Sequence, residues 1–267
     1  MEMSPVAVKK TSGSVLSKNR LSAYCVSLIL ISSLILCRLC ASLLSFAVND
    51  TAGTVLFAAL LIFLFFPLFI GAVRYFRTIV FEASATAEDM FVFFSSFDAY
   101  KRAFGLTVGM VFRTLLFAFF SFIPYAALKL AASSFVYDLF GVSAPLWSAN
   151  LSVPSSFMLA LGSVLTAWFS LRLYLAPFLL ACDDEMTAAE ALHMSWTISR
   201  RSLSGYIILT LSLIGYILLG VLILPLFFTL PYFLCCYTVH AKFAVTRYNA
   251  AVDRICDENM SNEIKVK

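Results

Sequence analysis

The sequence predicts an all-α, polytopic membrane helical bundle: six transmembrane helices with two amphipathic helices on the cytoplasmic interface. Three observations carry this. Of 267 residues, 61% are hydrophobic and only 13% charged, with 27 phenylalanines. Soluble domains run nearer 45–50% apolar and about 25% charged, so lipid must be the solvent for much of this surface. Apolar runs of about 20 residues recur, the length that crosses about 30 Å of hydrocarbon. Finally, the basic residues keep to alternate connecting segments, as the positive-inside rule requires.

Residues 1–20 are polar and read as a cytoplasmic N-terminal tail. The first span is "LSAYCVSLILISSLILC", Leu21–Cys37. A basic start before an apolar middle also describes a signal peptide, but the run is long for one and apolar sequence resumes beyond Arg38. The second span is "TVLFAALLIFLFFPLFIGAV", Thr54–Val73, the third starts near Gly105, and the fourth is Ser155–Ala181. The apolar stretch from Gly205 to about Ala244 would be about 60 Å long as one helix, twice the hydrocarbon thickness. It must fold back, and Pro225 is the natural turn. Spans near 205–224 and 226–246 result, completing a membrane domain over 21–246 and leaving 247–267 as a cytoplasmic C-terminal tail.

Orientation follows from charge. Lys9, Lys10, Lys18 and Arg20 precede the first span. Arg74, Arg77, Lys101 and Arg102 follow the second, Arg200 and Arg201 follow the fourth, and Lys242, Arg247, Arg254, Lys265 and Lys267 close the chain. These are fifteen of the nineteen basic residues. Six spans with both termini cytoplasmic keep them on one side, whereas five would split them. No soluble basic face remains for nucleic acid.

The densest polar stretch is "CDDEMTAAEALHMSWTISRRS", Cys182–Ser202. Thr187 and Glu190 have capping-box spacing, so a helix is expected to start there. Ala189, Leu192 and Trp196 would share one face, and Arg200 and Arg201 would close the helix. Trp196 favours the interface, and the whole reads as a short helix on the inner leaflet in which Asp184 is dispensable. A metal or acid–base site from Asp183, Asp184, Glu190 and His193 would need a second Glu-x-x-His pair; that motif occurs once. No metal or other cofactor is expected. The earlier cytoplasmic segment repeats the device, with Phe93, Phe97, Tyr100 and Phe104 on one helical face before Lys101-Arg102. Ser96-Phe97 and Ser195-Trp196, Pro67 and Pro177, and Pro124-Tyr125 and Pro231-Tyr232 suggest two parallel units, an arrangement known in membrane proteins, with constraints that all spans share as the alternative source of these few identities.

Two arginines lie inside spans. Arg113 is eight residues past Gly105 and Arg172 ten before Cys182, about 12 and 15 Å deep at 1.5 Å per residue. A charge there costs at least about 2.5 kcal/mol and usually faces a bundle interior or cavity. At about 8 Å separation and an effective dielectric of about 20, the two would repel by about 2 kcal/mol, which an anion between them would offset. Snorkelling with carbonyl contacts is the plainer alternative. Cys37 and Cys40 form a C-x-x-C without a thioredoxin-like unit around it. There is no glycine-rich phosphate loop, no H-E-x-x-H and no nucleophile with an evident base.

The pieces "KRAFGLTVGMVFRTLLFAFFSFIPY", "APFLLACDDEMTAAEALHMSW" and "LSLIGYILLGVLILPLFFTLPYFLCCY", together spanning roughly Lys101 to Tyr237, resemble a family of bacterial integral membrane proteins, the domain-of-unknown-function family nine-seven-five. That family is distantly similar to membrane domains of glycerophosphodiester phosphodiesterases. Tyr125 stands where the family has a glycine, and Lys129–Pro154 intervenes before the next span. The resemblance implies the membrane fold and no activity. The expectation is a non-enzymatic transport component or lipid-organising accessory of the cell membrane, with membrane lipids, anionic ones included, as partners; no protein partner can be read. A lipid-directed enzyme at the cytoplasmic interface is the alternative.

Overall fold

The computed structural model describes residues 4–82, 85–132, 152–219 and 223–266, and among these it is helical with no strand. Its helices are α1 (Pro5–Lys18), α2 (Arg20–Ala47), α3 (Asp50–Leu60), α4 (Phe66–Glu82), α5 (Val92–Ser95), α6 (Phe97–Ala132), α7 (Ser152–Leu171), α8 (Ala176–Cys182), α9 (Ala188–Ser212), α10 (Ile214–Leu219) and α11 (Ile223–Val266). Among the described residues, four stretches are long and apolar enough to cross a membrane: Arg20–Ala47, Asp50–Glu82, Phe97–Leu130 and Pro154–Cys182. Only 11% of the most apolar window of Phe97–Leu130 is buried, so outward residues such as Phe112, Leu115 and Phe119 have lipid as their natural cover.

The chain divides into two compact units, Met1–Val108 with Leu175–Lys267, and Gly109–Tyr174. In the larger unit α4 is central. Pro67 to Ile79 supplies nine buried residues, among them Tyr75 and Phe76, both 0% exposed. Leu68, Ala72, Tyr75, Phe76 and Ile79 form one cluster with Val26 and Leu30 of α2, Leu209 of α9, and Leu234, Cys235, Cys236 and Val239 of α11. Gly71 lets the segment Ala87–Phe91 lie directly on α4: a Cβ there would stand 1.8 Å from the Met90 carbonyl oxygen.

Several spans differ from the sequence reading in how they are divided. The second is one rod over Asp50–Glu82 with a single π-helical turn at Leu61–Phe65. Pro67 has no N–H to donate, and the wider turn just before it is a usual accommodation in such a helix. The fourth breaks at 172–175, where Arg172, Leu173 and Tyr174 donate to the carbonyls three residues back, and it restarts as α8 with Pro177 in its first turn. Six of the seven residues of α8 are buried, Ala176 to Ala181.

The interfacial helices need correction too. Ser96 is extended (φ −141°, ψ 151°) and its Oγ accepts from the Ala99 N–H at 3.2 Å. This local cap splits the expected helix, so Phe93 and Phe97 do not share a face: Phe93 is 1% exposed and Phe97 80%. The helix after Thr187 does not stop at Arg201. Ala191, Leu192, Ser195, Ile198, Ser199, Leu203 and Leu209 keep a 3.6-residue buried stripe through to Ser212, with nothing in between to break it. The expected surface helix and the start of the expected fifth span are one rod, whose buried face excludes Ala189. The hairpin turn expected at Pro225 falls next to residues 220–222, outside the described residues; Pro225 itself lies in the first turn of α11.

Both tails are helical over most of their described residues. Ser4 caps α1, Pro5 opens it, and Val8 and Ser12 are buried, with Val15 and Leu16 partly so. That spacing is one helical stripe. Cys235 Sγ of α11 lies 3.6 Å from the Ser12 carbonyl. At the other end, α11 continues as helix to Val266.

Candidate functional site

The stretch after α8 closes the larger unit. Asp183 Oδ1 accepts from the Glu185 N–H at 2.8 Å, turning the chain sharply. Asp184 then meets α4, where both Arg74 Nη atoms donate to its carboxylate, Nη2 to Oδ2 at 3.1 Å. Arg102 Nη1 of α6 donates to the Asp184 backbone carbonyl. Arg74, first among several cations, holds the Asp184 carboxyl below its ordinary value. Nearby, Arg77 pairs with Glu82 at 3.1 Å. Lys242 of α11 donates to the Val80 carbonyl at 3.2 Å and lies 4.0 Å over the Phe81 ring. A lysine on the last carbonyls of α4 complements the negative end of its dipole.

Thr187 and Glu190 form a reciprocal capping box: Glu190 N–H to Thr187 Oγ1 at 3.3 Å, and Thr187 N–H to Glu190 Oε2 at 2.9 Å. The backbone N–H of Thr187 is the main reason the Glu190 carboxyl is held below its ordinary value. The same device recurs at Thr86 and Asp89. Trp196 is half-buried on α9 and Phe97 is the exposed first residue of α6. Asp183, Glu185, Glu190 and His193 surround an open depression, but among the described residues no three His, Cys, Asp or Glu side chains are placed to hold a metal ion.

Arg113 and Arg172 both belong to the smaller unit. Phe117 stacks on Phe169, centroids 4.6 Å apart and planes within 9°. Gly162 lies against Phe122, whose ring a Cβ would meet at 2.9 Å. These pairs give α6 and α7 an antiparallel register. Arg113 is four residues before Phe117 and Arg172 three after Phe169, so the two come level. Position 113 shares the Phe117 face at i−4, and the i→i−3 turn carries position 172 onto the Phe169 face. Both arginines are half-buried. Besides them, the charged residue described in this unit is Lys129.

Sequence reasoning missed Arg74, Arg102, Lys242 and the whole of α1. For α1 a signal existed: a serine, then proline, then apolar residues at helical spacing. For the pairing of Arg74 with Asp184, 110 residues apart, no local pattern exists. Comparison with protein-family models, curated proteins and solved structures finds no match to this chain.

Proposed function

We propose that the chain is a six-span protein of a bacterial cell membrane, with both termini cytoplasmic, that works as a component of anion transport and not as an enzyme. One observation supports this above others. Two spans depart from regular α-helix, one widened by the π turn before Pro67 and one broken by the turn before Pro177, and each departure is followed by a buried segment, α4 and α8. These segments pack on each other. Paired, interrupted spans in two halves of a chain are where transporters place their solute sites, since irregular backbone at membrane depth is tolerated only beside protein or a cavity. Independently, within the smaller unit, Arg113 and Arg172, level on facing helices, offer anion-selective charge, and their planar guanidinium groups suit phosphate or carboxylate. The α9–α10 stretch and the first half of α11 serve as the fifth and sixth spans.

Proteoliposomes holding the protein should take up radiolabelled inorganic phosphate or a short dicarboxylate faster than empty liposomes. Arg113→Gln/Arg172→Gln should lose about tenfold, equivalent to one charge-assisted hydrogen bond of about 1.5 kcal/mol. Uptake equal to that of empty liposomes for both probes would end the transport reading.

A further inference from the structure

In the larger unit a groove of about 1080 Å³ runs between α9, α11 and the start of α1. Its lining combines two chemistries. Arg201, Arg247 and Arg254, all exposed, line it together with Ser4 and Pro5 at the start of α1. Among the described residues no acidic residue lines the groove, and no described carboxylate forms an ion pair with these three arginines. Arg247 and Arg254 are two helical turns apart on one face of α11, about 10 Å. The lining also includes an apolar wall: Ile208 is 54% and Phe243 46% exposed. Between them Gly205 lets α9 pass close to α11, where a Cβ would come within 3.2 Å of His240 Nε2.

From this pairing of a cationic rim with an uncovered apolar wall we infer a second binding site, for an anionic phospholipid of the inner leaflet. Its phosphodiester lies among Arg201, Arg247 and Arg254, and an acyl chain lies along Ile208 and Phe243. Three guanidinium forks match phosphate oxygens. The volume is at or above the roughly 300–1,000 Å³ typical of drug-sized ligands, so a bare phosphate would leave the apolar wall uncovered. The site is separate from Arg113 and Arg172 and requires no transport activity.

The test uses the full chain purified in detergent. Phosphatidylglycerol carrying a diazirine near the end of one acyl chain should label peptides containing Ile208 or Phe243 in the wild type. In native mass spectrometry, Arg201→Gln/Arg247→Gln should lower phosphatidylglycerol retention several-fold, while Arg113→Gln/Arg172→Gln leaves the groove labelling unchanged. Labelling confined to other peptides would overturn the inference. So would equal labelling by the phosphatidylcholine analogue, which would mean apolar contact alone, or full displacement by inorganic phosphate, which would mean a phosphate site without lipid.

Discussion

Asp184 shows how much a single exposed carboxylate can organise. Its side chain is 64% exposed, so solvent and salt screen the pair with Arg74, and exposed pairs contribute about 0.2–1 kcal/mol. Bidentate geometry and the added Arg102 bond favour the upper end of that range. Asp184→Asn should therefore cost about 1 kcal/mol, read as a lowered melting midpoint in detergent. Arg74→Lys should fall between wild type and Arg74→Ala, because lysine lacks the fork. The pH dependence has a definite sign. The folded state holds this carboxyl below its ordinary 3.8, so the unfolded chain takes up its proton first as pH falls. The gap between wild type and Asp184→Asn should be constant above about pH 5 and close as pH drops through 3.8 and below. A gap that widened in acid would show that Asp184 is not the ionised partner. Thr187→Ala should cost about 1 kcal/mol through the lost cap.

At the scale of elements, the structure depends on where helices are allowed to break and where they are not. Ser96 breaks one, Leu61–Phe65 widens one, residues 172–175 interrupt one, and Arg200–Gly205 breaks nothing. Ser96→Ala removes the side-chain acceptor at the start of α6 and should cost about 1 kcal/mol. Gly71→Leu should be worse than any of these. The new side chain meets the Met90 backbone carbonyl, which cannot swing aside as a side chain would; overpacking costs roughly 1–3 kcal/mol or more. Fluorescence-detected gel filtration after heating ranks these variants, and a Gly71→Leu protein as stable as wild type would mean that Ala87–Phe91 does not lie on α4. The sequence made the long apolar rods legible, because hydropathy and length are local properties. It misplaced their ends at Ser96 and Arg201. A serine serves equally as an N-cap and as a small buried residue, as Ser96 and Ser195 do at equivalent places, and only packing distinguishes them.

On the scale of the whole molecule, the distribution of basic residues is the main guide to orientation. Single cysteines at positions 98 and 190, on a cysteine-free background, should resist a membrane-impermeant reagent in intact cells and react in inverted vesicles. Reaction in intact cells would reverse the assigned topology. What composition could not convey is that charges read as orientation signals also join elements distant in sequence. Arg74 and Arg102 hold the chain after α8, Lys242 caps α4, and Lys9 donates to the Ser212 carbonyl at 2.6 Å. That last bond has a mechanical consequence. Because α9 runs unbroken for 25 residues, it is a beam about 37 Å long, pinned at its base by the Thr187 cap and gripped near its tip by α1. A tilt of about 10° at the base carries the tip about 6 Å, more than one helical turn. Any rearrangement of the Asp184 corner is thereby magnified at the far end of the lever, where the amino-terminal helix either rides along or lets go.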